Sequence, residues 1–285
     1  MDQDLGGLGA RVDAAVTTAT ELGAALHGSP YAGLTAGARA LTRQHDPVVD
    51  DLATRVADGD AVCAWGRVDA TGRTARLVDG AGDADALLLH DPARADLLLL
   101  ADPAAWSIAS GARGFDVSRR APDVTFDPAA GHGVPHDPTA VALHGLLLAA
   151  DALGCVRRML DRTVTYAAER RAFGQPIGGF QAVQHRLVDH AVRARGMGLV
   201  VAEAARVLGD GAPGAAHAVA LAEASVSSGA VHVLHDLLQL TGAIGFTWEH
   251  GLHLYERRAH QDARLAANPR TALRTIADLE GWTRG

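Results

Sequence analysis

From Asp137 onward the apolar residues recur with the period of an α-helix, in long stretches separated by short breaks that contain Gly or Pro. Asp137 can cap a first helix with Pro138 in its opening turn, and further helices are predicted over about 179–208, over about 213–240 and from about 246 onward. Long helices with short connections pack as antiparallel neighbours, so this part of the chain is predicted to be an up-down four-helix bundle. The apolar positions of the first helix are Leu143, Leu146, Leu147, Ala150, Leu153, Leu160 and Val164.

The preceding part of the chain has two other patterns of apolar residues. Residues 1–56 carry apolar side chains at helical spacing and predict two or three helices, whereas residues 57–130 carry short apolar runs separated by Gly, Asp and Pro, which predict a small β domain. Residues 131–285 hold the bundle. The expected fold class is therefore α+β, mostly α, with three consecutive regions.

Composition excludes several functions. All 26 basic residues are arginine, and the net charge of -7 is spread without charged blocks, so a nucleic-acid partner is not expected. Two distant cysteines, Cys63 and Cys155, indicate neither a disulfide framework nor a zinc site, and no histidine pair has an evident third metal ligand. The N-terminal residues include acidic side chains and no long apolar run, so neither a signal peptide nor a membrane anchor is expected and the protein is predicted to be cytoplasmic.

The run YAAERRAFGQPIGGFQAVQHRL, residues 166–187, joins the end of one predicted helix to the start of the next. It resembles the acyl-CoA dehydrogenase signature, in which an aromatic residue is followed by an arginine, Phe-Gly, a Pro-Ile or Pro-Leu pair and Phe-Gln. The matching residues are Tyr166, Arg170, Phe173, Gly174, Pro176, Ile177, Phe180 and Gln181.

A second run, QLTGAIGFTWEHGLHLYERRA, is similar to the glutamine and Gly-Gly-x-Gly turn of the same family. A weaker likeness at 21–33 is to a family segment near the end of its N-terminal helical domain, which implies that the helical region over 1–56 is truncated. The order of helices, β domain and bundle is also the family's order. The residues of the second run that match are Gln239, Gly242, Ala243, Gly245, Phe246 and Glu249.

The resemblance implies FAD as cofactor, with the two motifs reaching across a subunit interface to the flavin nucleotide of a neighbouring chain. An arginine can donate charge-assisted hydrogen bonds to pyrophosphate, and a glycine turn lets backbone N–H groups approach closely. Each residue alone could instead be structural, as a surface arginine, a helix cap or a core phenylalanine. The residues that the resemblance assigns to the cofactor are Arg170, Phe173, Gln181, Gln239, Leu240, Thr241, Gly242 and Ala243.

The family's catalytic glutamate is missing from both places where it is usually found, since these positions are occupied by Ala266 and His144. The residues that would flank a base at the second place are Ala142 and Gly145, and the β region lacks the family segments that hold the flavin ring. A lone histidine on an apolar helix is more often a packed residue than a base. No catalytic residue is therefore assigned.

These features predict a shortened, base-lacking subunit that completes the FAD site of a full-length acyl-CoA dehydrogenase subunit. It resembles the partner chain of actinobacterial heterotetramers that introduce an α,β double bond into bulky CoA thioesters, including steroid side-chain intermediates. The acyl-CoA substrate would be bound mainly by the partner, and an electron-transfer flavoprotein would accept the electrons. Two alternatives remain: a homomeric flavoenzyme with His144, Glu169 or Glu256 as base, and a scaffold without flavin.

Overall fold

The computed structural model describes residues 11–42, 46–108, 114–266 and 269–282, and in this part of the chain eight α-helices and nine β-strands are present. The helices are α1 Val12–Ala24, α2 Tyr31–Leu41, α3 Pro47–Asp58, α4 Pro138–Glu169, α5 Gln181–Gly209, α6 Ala215–Thr241, α7 Leu252–Leu265 and α8 Pro269–Leu279. The strands are β1 Cys63–Val68, β2 Thr74–Arg76, β3 Ala86–His90, β4 Asp96–Leu100, β5 Trp106–Ile108, β6 Val124–Phe126, β7 His132–Pro135, β8 Arg171–Ala172 and β9 Gln175–Pro176.

Among the described residues, seven strands form one sheet in the order β5-β6-β2-β1-β3-β4-β7, in which only the β1–β3 pair is parallel. The leucine-rich strands β3 and β4 are buried on both faces, which explains why they read as continuous apolar runs instead of alternating ones. Leu88 and Leu99 pack on one face beneath α2 and α3, and Leu87 and Leu98 lie in a second core on the other face of the curled sheet.

The chain divides into two compact units, whose boundary falls inside α4 between His144 and Gly145. Unit 1 comprises Gly28–His144, which includes α2, α3 and the sheet, and unit 2 comprises Asp13–His27 together with Gly145–Gly285. The three regions predicted at 1–56, 57–130 and 131–285 divide the chain by the type of secondary structure. The two units instead group the residues that contact one another. Helix α1 therefore belongs with the bundle although it precedes the sheet in the chain.

Unit 2 is built on helices α4 to α7, and the predicted class, α+β with a C-terminal bundle, is confirmed. The cap predicted for the start of α4 is present, because Asp137 Oδ1 accepts hydrogen bonds from the backbone N–H groups of Thr139 and Ala140 at 2.8 and 3.2 Å. Helices α5 and α6 are antiparallel, since Arg186 pairs with Asp236 near one end while Met197 lies against Gly229 farther along.

The fourth bundle helix differs from its prediction. A single helix was expected from about residue 246 onward, but a 3-10 turn occupies Gly242–Phe246, α7 begins at Leu252, and α8 is separate. Gly251 precedes α7 with φ of 70°, a backbone conformation that interrupts a helix, and α8 opens on Pro269, which the first turn of a helix accepts but its interior does not.

Within the described chain, helix α4 is long and apolar enough to cross a membrane by length and composition. Within that apolar window 78% is buried inside the fold, as in the core helix of a soluble protein. Its hydropathy is therefore weak support for a membrane span.

Candidate functional site

The first motif folds as a two-residue hairpin between α4 and α5. Strands β8 and β9 pair through Arg171–Pro176 and Ala172–Gln175, and both turn residues have positive φ, 50° at Phe173 and 84° at Gly174. Two successive positive φ angles are typical of a type I′ turn, and a bulky residue adopts this conformation at an energetic cost. The turn holds the Phe173 ring 97% exposed, with its only described aromatic contact an edge-to-face approach to Phe180 at 6.2 Å.

Arg170 and the start of α5 lie at the base of this hairpin. The Arg170 backbone is fixed on both sides, since its N–H donates to Tyr166 and its carbonyl accepts from Ile177 at 2.7 Å. Its side chain is exposed. Phe180 is the N-cap of α5 and provides no side-chain acceptor. The N–H groups of Val183 and Gln184 donate to the Phe180 carbonyl, so those of Gln181 and Ala182 remain for another acceptor. An arginine beside an uncapped helix N-terminus favours an anion such as phosphate.

The second motif forms the end of α6 and the turn that follows. Gln239 is exposed, Leu240 is half-buried and Thr241 is 4% exposed, so only part of this segment faces solvent. Gly242 has φ of 65° and ψ of −148°, a region that is essentially restricted to glycine. Ala243 is exposed and does not have a positive φ. The glycine-only conformation of this turn therefore belongs to Gly242 and not to Ala243.

Tyr166 brings the two motifs together. Its hydroxyl donates a hydrogen bond to the carbonyl of Thr241 at 3.3 Å, and its ring meets the His250 ring edge-on at a centroid distance of 6.0 Å. Arg162, one turn earlier on α4, donates to the carbonyl of His250 at 2.9 Å. The contact with His250 was not predicted, and no local sequence signal marks it, because the two residues are joined only by folding.

His144, at one of the two positions where the family resemblance places a base, is a packed residue in unit 1. Its ring stacks on Trp65 with centroids 5.4 Å apart and planes 28° apart. Burial, followed by the charges of His90 and Arg119, lowers the pKa of His144 to about 3. An imidazole with that pKa is neutral at physiological pH and a weak proton acceptor. Trp65, which fixes this ring, was missed by sequence reasoning.

The structure also places the other residues considered in connection with a catalytic base. Ala266 caps the end of α7 and is 6% exposed. Glu256 lies 3.0 Å from His235 Nδ1, while Glu169 and Glu249 are exposed at the end of α4 and in the turn before α7. Within the described residues no group of His, Cys, Asp and Glu side chains has the arrangement of a metal site.

Another polar cluster joins α5 to α6. Arg186 Nε donates to Asp236 Oδ2 at 2.9 Å, and His190 Nε2 lies 2.6 Å from the same oxygen. These hydrogen bonds, led by that from Arg186, lower the pKa of Asp236 to about 2. The cluster therefore holds a carboxylate that stays ionised, and it fixes the register of α5, which begins at Gln181, against α6, which carries Gln239 in its last turn.

Comparison with known proteins places these features in a family context. Residues 131–267 match the model of the acyl-CoA dehydrogenase C-terminal domain. The chain is 32% identical over 283 residues to the acyl-CoA dehydrogenase IpdE2 of Mycobacterium tuberculosis, covering 98% of this chain and 81% of that protein. The ChsE4-ChsE5 complex from M. tuberculosis contains a chain with a TM-score of 0.84 and 26% identity, covering 100% of this chain and 84% of the other. A Tcur3481-Tcur3483 steroid acyl-CoA dehydrogenase variant gives a TM-score of 0.82 at 24% identity, covering 99% and 84%.

Proposed function

Because this chain belongs to the acyl-CoA dehydrogenase family, we propose that it is the subunit of a heteromeric, FAD-dependent enzyme that completes a partner's cofactor site without supplying the catalytic base. The observation that carries the proposal is the packing of His144 against Trp65, which leaves a neutral, stacked imidazole where the family resemblance places a base. Ala266, at the other position, has no titratable side chain.

The residues of the two motifs fit the nucleotide part of FAD. Arg170 is exposed beside the uncapped N-terminus of α5, which suits a pyrophosphate, and Gly242 presents a glycine-only backbone at the end of α6. Phe173 offers a fully exposed ring that an aromatic or apolar part of a ligand can cover. Bound FAD would accept the hydride removed from the substrate. Arg170, Gln181 and Gln239 would bind and orient the nucleotide.

The reaction that follows from the family is α,β-dehydrogenation of a CoA thioester. Proton abstraction needs a base within hydrogen-bond reach of the α carbon, and the full-length partner would supply it. The solved neighbours include the ChsE4-ChsE5 complex and a steroid acyl-CoA dehydrogenase, which supports a two-chain enzyme and a bulky, steroid side-chain substrate. An electron-transfer flavoprotein would then reoxidise the flavin.

The test is the flavin content of the purified protein, measured by visible absorbance for the chain alone and after co-expression with the full-length acyl-CoA dehydrogenase encoded nearest to it. Little flavin alone and about one flavin per pair of chains together is the expected result. Stoichiometric flavin in the isolated chain would replace the proposal with a homomeric enzyme. Absence of flavin from a stable pair would replace it with a scaffold.

A further inference from the structure

Arg186, His190 and Asp236 form a polar clamp between α5 and α6, close to the helix ends that carry the two motifs. Arg186 donates from two nitrogens to the two oxygens of the Asp236 carboxylate, and His190 Nε2 lies 2.6 Å from Oδ2. Because Asp236 stays ionised, Nε2 must carry the hydrogen and donate it. Three donors on α5 therefore hold both oxygens of one carboxylate on α6.

The spacing of these donors makes the clamp selective for one register of the two helices. Arg186 and His190 are four residues apart and therefore neighbours on the surface of α5. Moving α6 by one residue would displace Asp236 by about 1.5 Å along the helix axis and rotate it away from α5. One long arginine side chain could follow such a movement, but the arginine and the shorter, planar imidazole cannot both do so and keep their hydrogen bonds.

His190 has a second feature, which a role in stability alone does not explain. The residue is 4% exposed, and its other ring nitrogen, Nδ1, is buried without a hydrogen-bond partner in the part of the chain that the structure describes. The His232 ring approaches it edge-on, with centroids 6.2 Å apart, and supplies no such bond. A buried polar atom without a partner lowers stability, and an apolar side chain would avoid this cost. The imidazole is better explained by what it holds in place.

The clamp sets the relative level of two exposed glutamines, one in each motif. Gln181 precedes Arg186 by five residues, which is roughly 7.5 Å along α5, and Gln239 follows Asp236 by three, which is roughly 4.5 Å along α6. Since α5 and α6 are antiparallel, both distances run in the same direction. The two glutamines therefore lie at nearly the same height, with an offset of roughly 3 Å along the helix axes.

We propose that the clamp is a positioning device for the flavin nucleotide, which holds Gln239 level with Gln181 so that both can reach one ligand. Its three members are positioning residues and not ligands of the cofactor. This inference rests on the proposed function and adds residues that neither glutamine motif assigns to the cofactor. A ligand held by two helices loses affinity when one of them shifts by about 1 Å, so the register of α5 and α6 matters for flavin retention.

His190→Leu separates positioning from stability, because it removes both the donor to Asp236 and the unpartnered nitrogen. The variant is purified alone for its melting temperature, and as the pair with the full-length acyl-CoA dehydrogenase subunit for the dissociation constant of FAD, measured by dialysis. The melting temperature should be unchanged or higher, whereas FAD binding should weaken about tenfold or more. His190→Gln places an amide donor near the position of Nε2 and should restore FAD binding.

Arg186→Lys tests the same idea at the other donor. Lysine keeps the positive charge but cannot form the two parallel hydrogen bonds of a guanidinium, so FAD binding should weaken here too. Arg206→Lys is the matched control, because Arg206 also bonds two carboxylates, those of Glu203 and Asp210, at the opposite end of α5. It should leave FAD binding unchanged.

The outcomes distinguish this inference from the proposed function. If the wild-type pair holds flavin and both His190→Leu and Arg186→Lys bind it equally well, the clamp is only structural and the proposed function stands. Flavin loss that follows the loss of melting temperature from variant to variant, without rescue by His190→Gln, would also overturn the positioning role. If the wild-type pair holds no flavin, the proposed function is wrong and the positioning role is wrong with it.

Discussion

The Tyr166 hydroxyl is 3.3 Å from the carbonyl of Thr241, and this one hydrogen bond joins two motifs that lie 75 residues apart in the chain. The acceptor lies immediately before Gly242, where the backbone takes its glycine-only conformation. The position of the glycine turn relative to the Arg170 hairpin therefore depends on a side chain of α4. Residues that bind a common ligand must be held in a fixed relation, and Tyr166 is placed to do this.

Tyr166→Phe removes the hydroxyl and keeps the ring. We expect a loss of about 1 kcal/mol of stability, the usual value for one hydrogen bond, together with weaker flavin retention in the two-chain complex. Tyr255→Phe is the control, because the Tyr255 hydroxyl also donates to a backbone carbonyl, that of Ala24 at 3.1 Å, and this acceptor lies outside both motifs. It should reduce stability similarly without loss of flavin. Equal flavin loss in both variants would remove the positioning role of Tyr166.

Arg170→Ala tests the proposed phosphate contact directly. A hydrogen bond from a charged donor contributes about 1.5–3 kcal/mol, so flavin affinity of the complex should fall by roughly 10- to 100-fold while the fold is unchanged. Arg274→Ala removes an exposed arginine from α8 and should change neither property. Flavin content is read from absorbance after dialysis, and unchanged content in Arg170→Ala would contradict the assignment.

The sequence predicted the class of fold and the order of its parts, because periodicity and turn residues are local signals. The cap that Asp137 provides at the start of α4 belongs to this kind. It did not predict that α1 packs with the bundle, since that depends on contacts such as Gly154 against Thr20, which are distant in the chain. Nor did it predict the stacking of Trp65 on His144, because nothing in either local sequence marks the partner.

The buried pair of Arg258 and Asp151 connects α7 to α4 and to the end of the α1 segment. Arg258 is fully buried, its Nη1 lies 3.1 Å from Asp151 Oδ1, and both terminal nitrogens donate to the carbonyl of His27. Arg258→Met leaves a buried carboxylate without its cation and should cost about 3–5 kcal/mol. Urea denaturation followed by the helical circular dichroism signal measures this loss of unfolding free energy. Adding Asp151→Leu should restore part of it. No recovery in the double variant would mean that the hydrogen bond to His27, not the ion pair, dominates.

Asp236 should make stability depend on pH in the acid range. Its pKa is lowered from 3.8 to about 2 by the hydrogen bond from Arg186 and then by His190, so the folded state binds the proton less tightly than the unfolded state. The contribution of Asp236 to the free energy of unfolding is therefore complete above pH 4 and is lost as the pH falls through about 2. Because Asp236 is partly exposed, we expect about 1 kcal/mol. Asp236→Asn should flatten the dependence of the urea midpoint on pH over this range, whereas Asp161→Asn, at an exposed position of α4, should not.

The same substitution, glycine to alanine, should have opposite effects at two helix positions. At Gly154 on α4 a Cβ would lie 1.9 Å from the carbonyl oxygen of Thr20, so alanine must push α1 away and should cost about 3 kcal/mol. At Gly196 on α5 a Cβ would meet no atom within 4 Å, so alanine should stabilise the isolated chain by up to about 1 kcal/mol through helix propensity. Thermal unfolding of the two variants and the wild type measures whether each substitution raises or lowers stability. A destabilising Gly196→Ala would show that Gly196 makes a close contact within the isolated chain. A neutral Gly154→Ala would show that the close contact between α1 and α4 does not contribute to stability.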